Sequence, residues 1–130
     1  MIVTMRRYAV LLAVVCLLCT ASASHASAHG KRVHLRGHLI DMSCWNDHDG
    51  KDDQKMLREH TKNCLQMPDC IKSGYAIVTS EGKVYPMDAA SNASTTQWIA
   101  ATQRDDNWLV EVKGHLLDGK LNVKKIQLSH

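Results

Sequence analysis

Phenylalanine is absent from the 130 residues, and proline occurs only twice, so collagen-like and proline-rich disordered chains are excluded. Beyond residue 28 no apolar run approaches the ~20 residues that a membrane-spanning helix needs. The same stretch has no Gly-x-Ser-x-Gly, no phosphate-binding loop and no His-Glu-x-x-His, which removes the common serine hydrolases, nucleotide hydrolases and zinc proteases. Nor does it hold a Cys-x-x-Cys, the device of thioredoxin-type redox proteins, or the Cys-x-x-Cys-His of covalent haem. A large excess of positive charge is missing as well. Taking away Arg6 and Arg7 with an N-terminal leader reduces 16 Lys and Arg to 14, against 13 Asp and Glu, a net charge of +1. Nucleic-acid binders carry a far stronger basic balance, so nucleic acid is not an expected partner. The length fits one domain, too short for a doubly wound nucleotide-binding fold.

What is present begins with a secretory leader in residues 1–28. Arg6 and Arg7 form its positive region, Tyr8 to Leu18 its apolar run, and Ala21-Ser22-Ala23 and Ala26-Ser27-Ala28 offer two small-residue cleavage patterns. Acylation at Cys19 is the rival reading, and Leu18 is larger than the small residue that such a site normally wants. Residues 29–130 are then expected to form a single exported domain in the periplasm or outside the cell.

Along that domain, Val33 to Leu39 alternates apolar and polar and reads as a strand, with Gly37 marking a bend or bulge. Residues 46–55 are polar and read as a loop, followed by a helix from Met56 to Leu65 capped by Asp52 or Asp53, with Pro68 ending it or opening another turn. Residues 42–73 are therefore an insertion rich in Cys, His and Met. Tyr75–Thr79 and Val84–Asp88 form a hairpin around Glu81-Gly82, and Pro86 puts the second of these strands at an edge. Ser94 with Gln97 makes a capping box for a helix to about Gln103 that places Trp98, Ala101 and Thr102 on one side. Asn107–Leu116 and Leu121–Leu128 are joined by the turn Asp118-Gly119, and the apolar phase slips between Val123 and Ile126 as at a bulge.

The chemistry is concentrated in the insertion. With Cys16 and Cys19 in the leader, Cys44, Cys64 and Cys70 remain. An odd number in an exported domain means one disulfide and a spare thiol, an intermolecular bridge, or a metal site. A disulfide among the three would staple an insertion that has few apolar residues, and the sequence does not choose the pair. The metal reading rests on donor types: His60 and Cys64 lie four apart and share a face of a continuous helix, Met56 sits one turn earlier, and Cys44, His48, Met67 and Cys70 are near in sequence. Thiolate, thioether and imidazole suit copper(I), while Cys with His suits tetrahedral zinc. His60 beside Cys64 also leaves a thiol–disulfide redox role open. Asp41, at the end of the first strand, either caps a turn or orients His48 or His60. Asp47, Asp49 and Asp53 lack the spacing of a calcium loop and read as solvated, and His34, His38 and His115 read as surface residues. Trp98 and Trp108 fall on core positions, whereas Trp45 either covers the cysteines or lines a groove.

Five strands with a helix between the third and fourth resemble the OB-fold, a small Greek-key barrel. The segment Gly37-x-x-x-Asp41-x-x-Cys44, followed by His60, Cys64 and Cys70, is similar to small exported bacterial domains of unknown function that share this strand end and downstream His/Cys cluster. That resemblance implies export and a five-stranded barrel with a short helical insertion, without implying an activity. The expectation is a mainly β binding domain, stapled by a disulfide, for a protein, peptide or metal ion; catalysis finds little support.

Overall fold

The computed structural model describes residues 30–130; the leader and its cleavage sites lie outside the described residues. Strand β1 (Lys31–Asp41) is followed by four short helices, α1 (Met42–Asp47), α2 (Asp53–Glu59), α3 (Lys62–Leu65) and α4 (Pro68–Ser73). The chain then forms β2 (Tyr75–Thr79), β3 (Val84–Pro86), α5 (Ala89–Ala101), β4 (Leu109–Leu117) and β5 (Lys120–Leu128). All five strands pair antiparallel in the order β3-β2-β1-β4-β5. This is an open sheet with β3 and β5 at its edges. The two edges touch at one parallel bridge, Met87 to Leu121, beside the hydrogen bond from Asp88 N to Leu121 O at 3.0 Å.

Alternation along β1 decides what lies on each side. Val33, Leu35 and Leu39 face a core with Ile77, Val110, Val112, Leu121 and Trp108, and α5 closes over it. The even-numbered residues of β1 face the other way. There Ile40, with Ala76 and Val78 opposite on β2, is covered by Leu57, Trp45 and Met56 from the insertion. The insertion thus supplies its own apolar cover, in place of the staple that its composition seemed to require.

Gly37 is not at a bulge. It stands in both ladders at once, opposite Thr79 of β2 and Val110 of β4. A Cβ there would meet Val78 O at 2.5 Å, so close backbone approach is what requires glycine. The slip expected in the last strand is real: Val123 pairs with Gly114 and Lys125 with Lys113, leaving Lys124 as the extra residue. Asp118 and Gly119 both take positive φ, the geometry of a two-residue hairpin turn.

The helices depart furthest from the sequence expectation. The fourteen-residue span from Asp88 to Ala101 holds the long helix, which starts well before Ser94. Asp88 accepts from Ser91 N at 2.8 Å and is the cap, while the Ser94 hydroxyl bonds back to Ser91 O inside the helix. Its buried side is Ser91, Thr95 and Ile99, with Trp98 packed beside them, and not the side through Ala101 and Thr102. Between β1 and β2, α1 occupies residues assigned to the strand end and loop, and the helix from Met56 to Leu65 is two helices with a break at His60-Thr61. The break has a local cause, because the Thr61 hydroxyl accepts from Cys64 N at 3.2 Å and starts a new helix. Pro68 opens α4 at its first turn, where its missing N–H costs nothing.

Candidate metal centre

Asp41 ends β1 and caps α1. Its Oδ1 accepts from Cys44 N at 2.8 Å, and a capping carboxylate necessarily brings the residue three positions on beside it. Cys70 arrives from the other end of the insertion, in α4. The helix pair is held by Met42 N to Gly74 O at 2.8 Å and Ser43 N to Ser73 Oγ at 3.0 Å. Asp41, Cys44 and Cys70 therefore converge, with a carboxylate oxygen and both sulfurs all within 4.8 Å of one another. Asp41 is fully buried, Cys70 buried and Cys44 half-buried.

His60 stands behind this group. Its Nε2 lies 2.7 Å from Asp41 Oδ2, and both residues are buried. An ionised carboxylate only accepts, so Nε2 carries the hydrogen. Burial would raise the Asp41 carboxyl, but the bonds from His60, Cys44 N and the Cys70 thiol outweigh it and hold the pKa at about 2. The thiols move the other way. Burial and then the Asp41 charge push Cys44 up to about 12, and burial with the hydrogen bond to Asp41 raises Cys70. Without a cation the two sulfurs are protonated donors around one carboxylate. His60 Nε2 is bonded to the Asp41 carboxylate and to neither sulfur of the cluster, so with Cys44 and Cys70 it forms no Cys–His nucleophile pair.

Three of the residues that the sequence singles out, Cys44, His60 and Cys70, come together around Asp41. Cys64 lies apart from the three-atom cluster: with His60 and Met56 it lines an open cleft of about 490 Å³, together with Glu59 and Lys55. His48 is elsewhere, stacked on Trp45 with ring centroids 5.0 Å apart and bonded to Asp53 Oδ1. Met67 is exposed on the surface. All three described cysteines are free, and none is at disulfide distance from another. Asp41 is the member that the sequence reading treated only as a helper; the Asp-x-x-Cys spacing at a strand end was the pattern that carried it. Trp45 is half-buried, packed against the Ile40 cluster and stacked on His48. His38, expected at the surface, is half-buried and bonded to Asn107 Oδ1 at 2.9 Å, and burial lowers its pKa; Asp49 pairs with Lys51 at the surface.

Comparison with protein-family models, curated proteins and solved structures finds no match.

Proposed function

We propose that this chain is an exported metal-binding domain that holds a thiophilic ion, zinc or copper(I), on Cys44, Cys70 and Asp41. The observation that carries the reading is the convergence of two sulfurs and a carboxylate from the two ends of the insertion within 4.8 Å. Zinc–sulfur bonds of ~2.3 Å put tetrahedral ligands ~3.8 Å apart, so only a small closure of the cluster accommodates the ion. His60, hydrogen-bonded to Asp41, orients the carboxylate as partners of metal ligands do. The near-meeting of β3 and β5 at Met87 and Leu121 supports the view that the sheet is a shallow OB-like barrel, and the apolar leader supports export. No helix among the described residues is long and apolar enough to cross a membrane.

The second reading is a disulfide staple, and the proximity of sulfurs points to Cys44 with Cys70 as its pair. Intact mass of the natively exported protein, under native and denaturing conditions with thiol alkylation, separates the two. Metal binding gives an adduct lost on denaturation and three alkylatable thiols. A mass two units low with one alkylatable thiol and no adduct would overturn it in favour of the staple.

A further inference from the structure

The insertion covers only half of the outer sheet face. It lies over the Ile40, Ala76 and Val78 end, and among the described residues no layer covers β4, β5 and the first half of β1 on this side. On that uncovered half the strands place cations side by side. Arg32 is opposite His115, His34 opposite Lys113, and Lys113 in turn opposite Lys125. Arg32, His34, Lys113, Lys124 and Lys125 are exposed. The bulge adds Lys124 to this row, and Arg32, His34, Lys113, His115 and Lys124 border one cleft of about 550 Å³.

The charge is segregated. On the outward positions of these strands Arg32, Arg36, Lys113, Lys124 and Lys125 outnumber the carboxylate of Glu111 by four; Asp88 and Asp118 border Lys124 and Lys120 at the hairpin margin, and Arg36 is bonded to Ser129 Oγ and His130 O. Residues 30–130 total only +1, so the remainder of the domain carries −3. A near-neutral composition thus conceals a strongly cationic surface, a field that steers anions to one side of the molecule.

We infer that this face of β1, β4 and β5 docks an acidic polysaccharide, an extended chain bearing carboxylate or sulfate groups. Cross-strand neighbours stand ~5 Å apart and alternate residues ~7 Å apart, which spreads cations over the scale on which such a polymer spreads its anions. The face offers no aromatic platform for the bases of single-stranded nucleic acid, since Trp45, Trp98, Trp108, Tyr75 and Tyr85 all pack in the two apolar clusters. Among the described residues the exposed large apolar side chains are Met67, in the insertion, and Leu117, at the hairpin end, too few for the apolar face that inserts into a membrane surface.

The test is anisotropy of fluorescein-labelled heparin titrated with residues 29–130 across a salt series. Heparin binds at low salt and is released as salt rises. The double change Lys113→Glu with Lys125→Glu weakens it at least tenfold, whereas Lys72→Glu with Lys83→Glu, equal in charge and away from the face, leaves most of the affinity. Thermal melts confirm that both variants are folded, and Cys44→Ser, which disables the proposed ion site, leaves heparin binding unchanged. The inference is overturned if heparin is not bound, if the two doubles weaken it equally, or if phosphatidylglycerol vesicles or a single-stranded oligonucleotide bind more tightly to the same face.

Discussion

Asp41 does three things through two oxygens: it caps α1, anchors His60 and faces two thiols. Its charge is one reason why Cys44 resists ionisation. Asp41→Asn keeps an acceptor for the cap but removes that charge, so two effects of opposite sense are expected. Alkylation of Cys44 by iodoacetamide at pH 8, slow in the metal-free parent, becomes faster, and zinc affinity measured by competition with a chromogenic chelator falls. For His60→Ala, which leaves the three cluster atoms in place, the expected loss of zinc affinity is about 10–100-fold, the usual cost of removing a partner that orients a metal ligand. Equal zinc affinity in parent and His60→Ala would show that the ring plays no part in the site. At this scale the sequence was readable in part. Residue types pointed to sulfur and imidazole donors, and Cys44, His60 and Cys70 do converge; the single helix assumed for His60 and Cys64 is broken by the Thr61 cap, although both still line one cleft. Nothing in composition shows that His48 has Asp53 and Trp45 as nearer partners.

Strands were easier to place than helices because their signals are local. Tyr75–Thr79 is bounded by Gly74 and a turn, and the Asp118-Gly119 pair sets the last hairpin without help from the rest of the fold. The long helix has a weak pattern, since its buried side is Ser91, Thr95 and Ile99. Two of these work by hydrogen bonding: Ser91 Oγ accepts from Val123 N at 2.8 Å, and the Thr95 hydroxyl donates to Met87 Sδ. A polar buried face is invisible to hydrophobic periodicity, and Ser94 is a plausible cap until Asp88 is seen to reach both Ser91 N and Asn122 Nδ2. Those contacts make a prediction for this element. Asp88→Ala destabilises the domain by about 1 kcal/mol for the cap, with more for the lost tie to β5, measured by urea unfolding at pH 7. Burial alone would raise the Asp88 carboxyl, but the bonds from Ser91 and Asn122 lower it. A carboxyl that is lower in the folded state stabilises above its unfolded pKa, and that contribution fades as pH falls through the folded value. The gap between parent and Asp88→Ala is therefore expected to be full at neutral pH and to narrow in acid; a gap that is constant down to pH 2 would rule the linkage out.

For the whole molecule, the structure holds two apolar clusters, the larger under α5 and a smaller one under the insertion on the opposite side of the sheet. Leu57 is fully buried between the insertion and the sheet, so Leu57→Ala is expected to cost about 2–5 kcal/mol in urea unfolding, as for any core leucine. A cost near zero would mean that the insertion is held by other contacts. The existence of the insertion at 42–73 was legible from its polarity and its Cys/His content. That it packs by Leu57, Met42, Trp45 and Met56 on one side and Leu65 on the other was not, because apolar residues spread over short helices give no period to read.

The insertion departs from the sheet and returns to it at one rung, with Asp41 paired to Tyr75 and Met42 N bonded to Gly74 O immediately beyond. In the language of chain topology it is a loop tied at its neck, with further ties from Lys62 N to Asp105 O, from Asn107 N to Arg58 O and through the buried Leu65. Cys44 and Cys70 sit just inside that neck, one on each side. On the proposed reading an ion shared by them ties the two ends of the insertion together, and its effect on exchange is expected to be selective. Amide hydrogen exchange of the metal-free protein is expected to be faster across 42–73 than in β1 and β4, and zinc slows the insertion while leaving the strands unchanged.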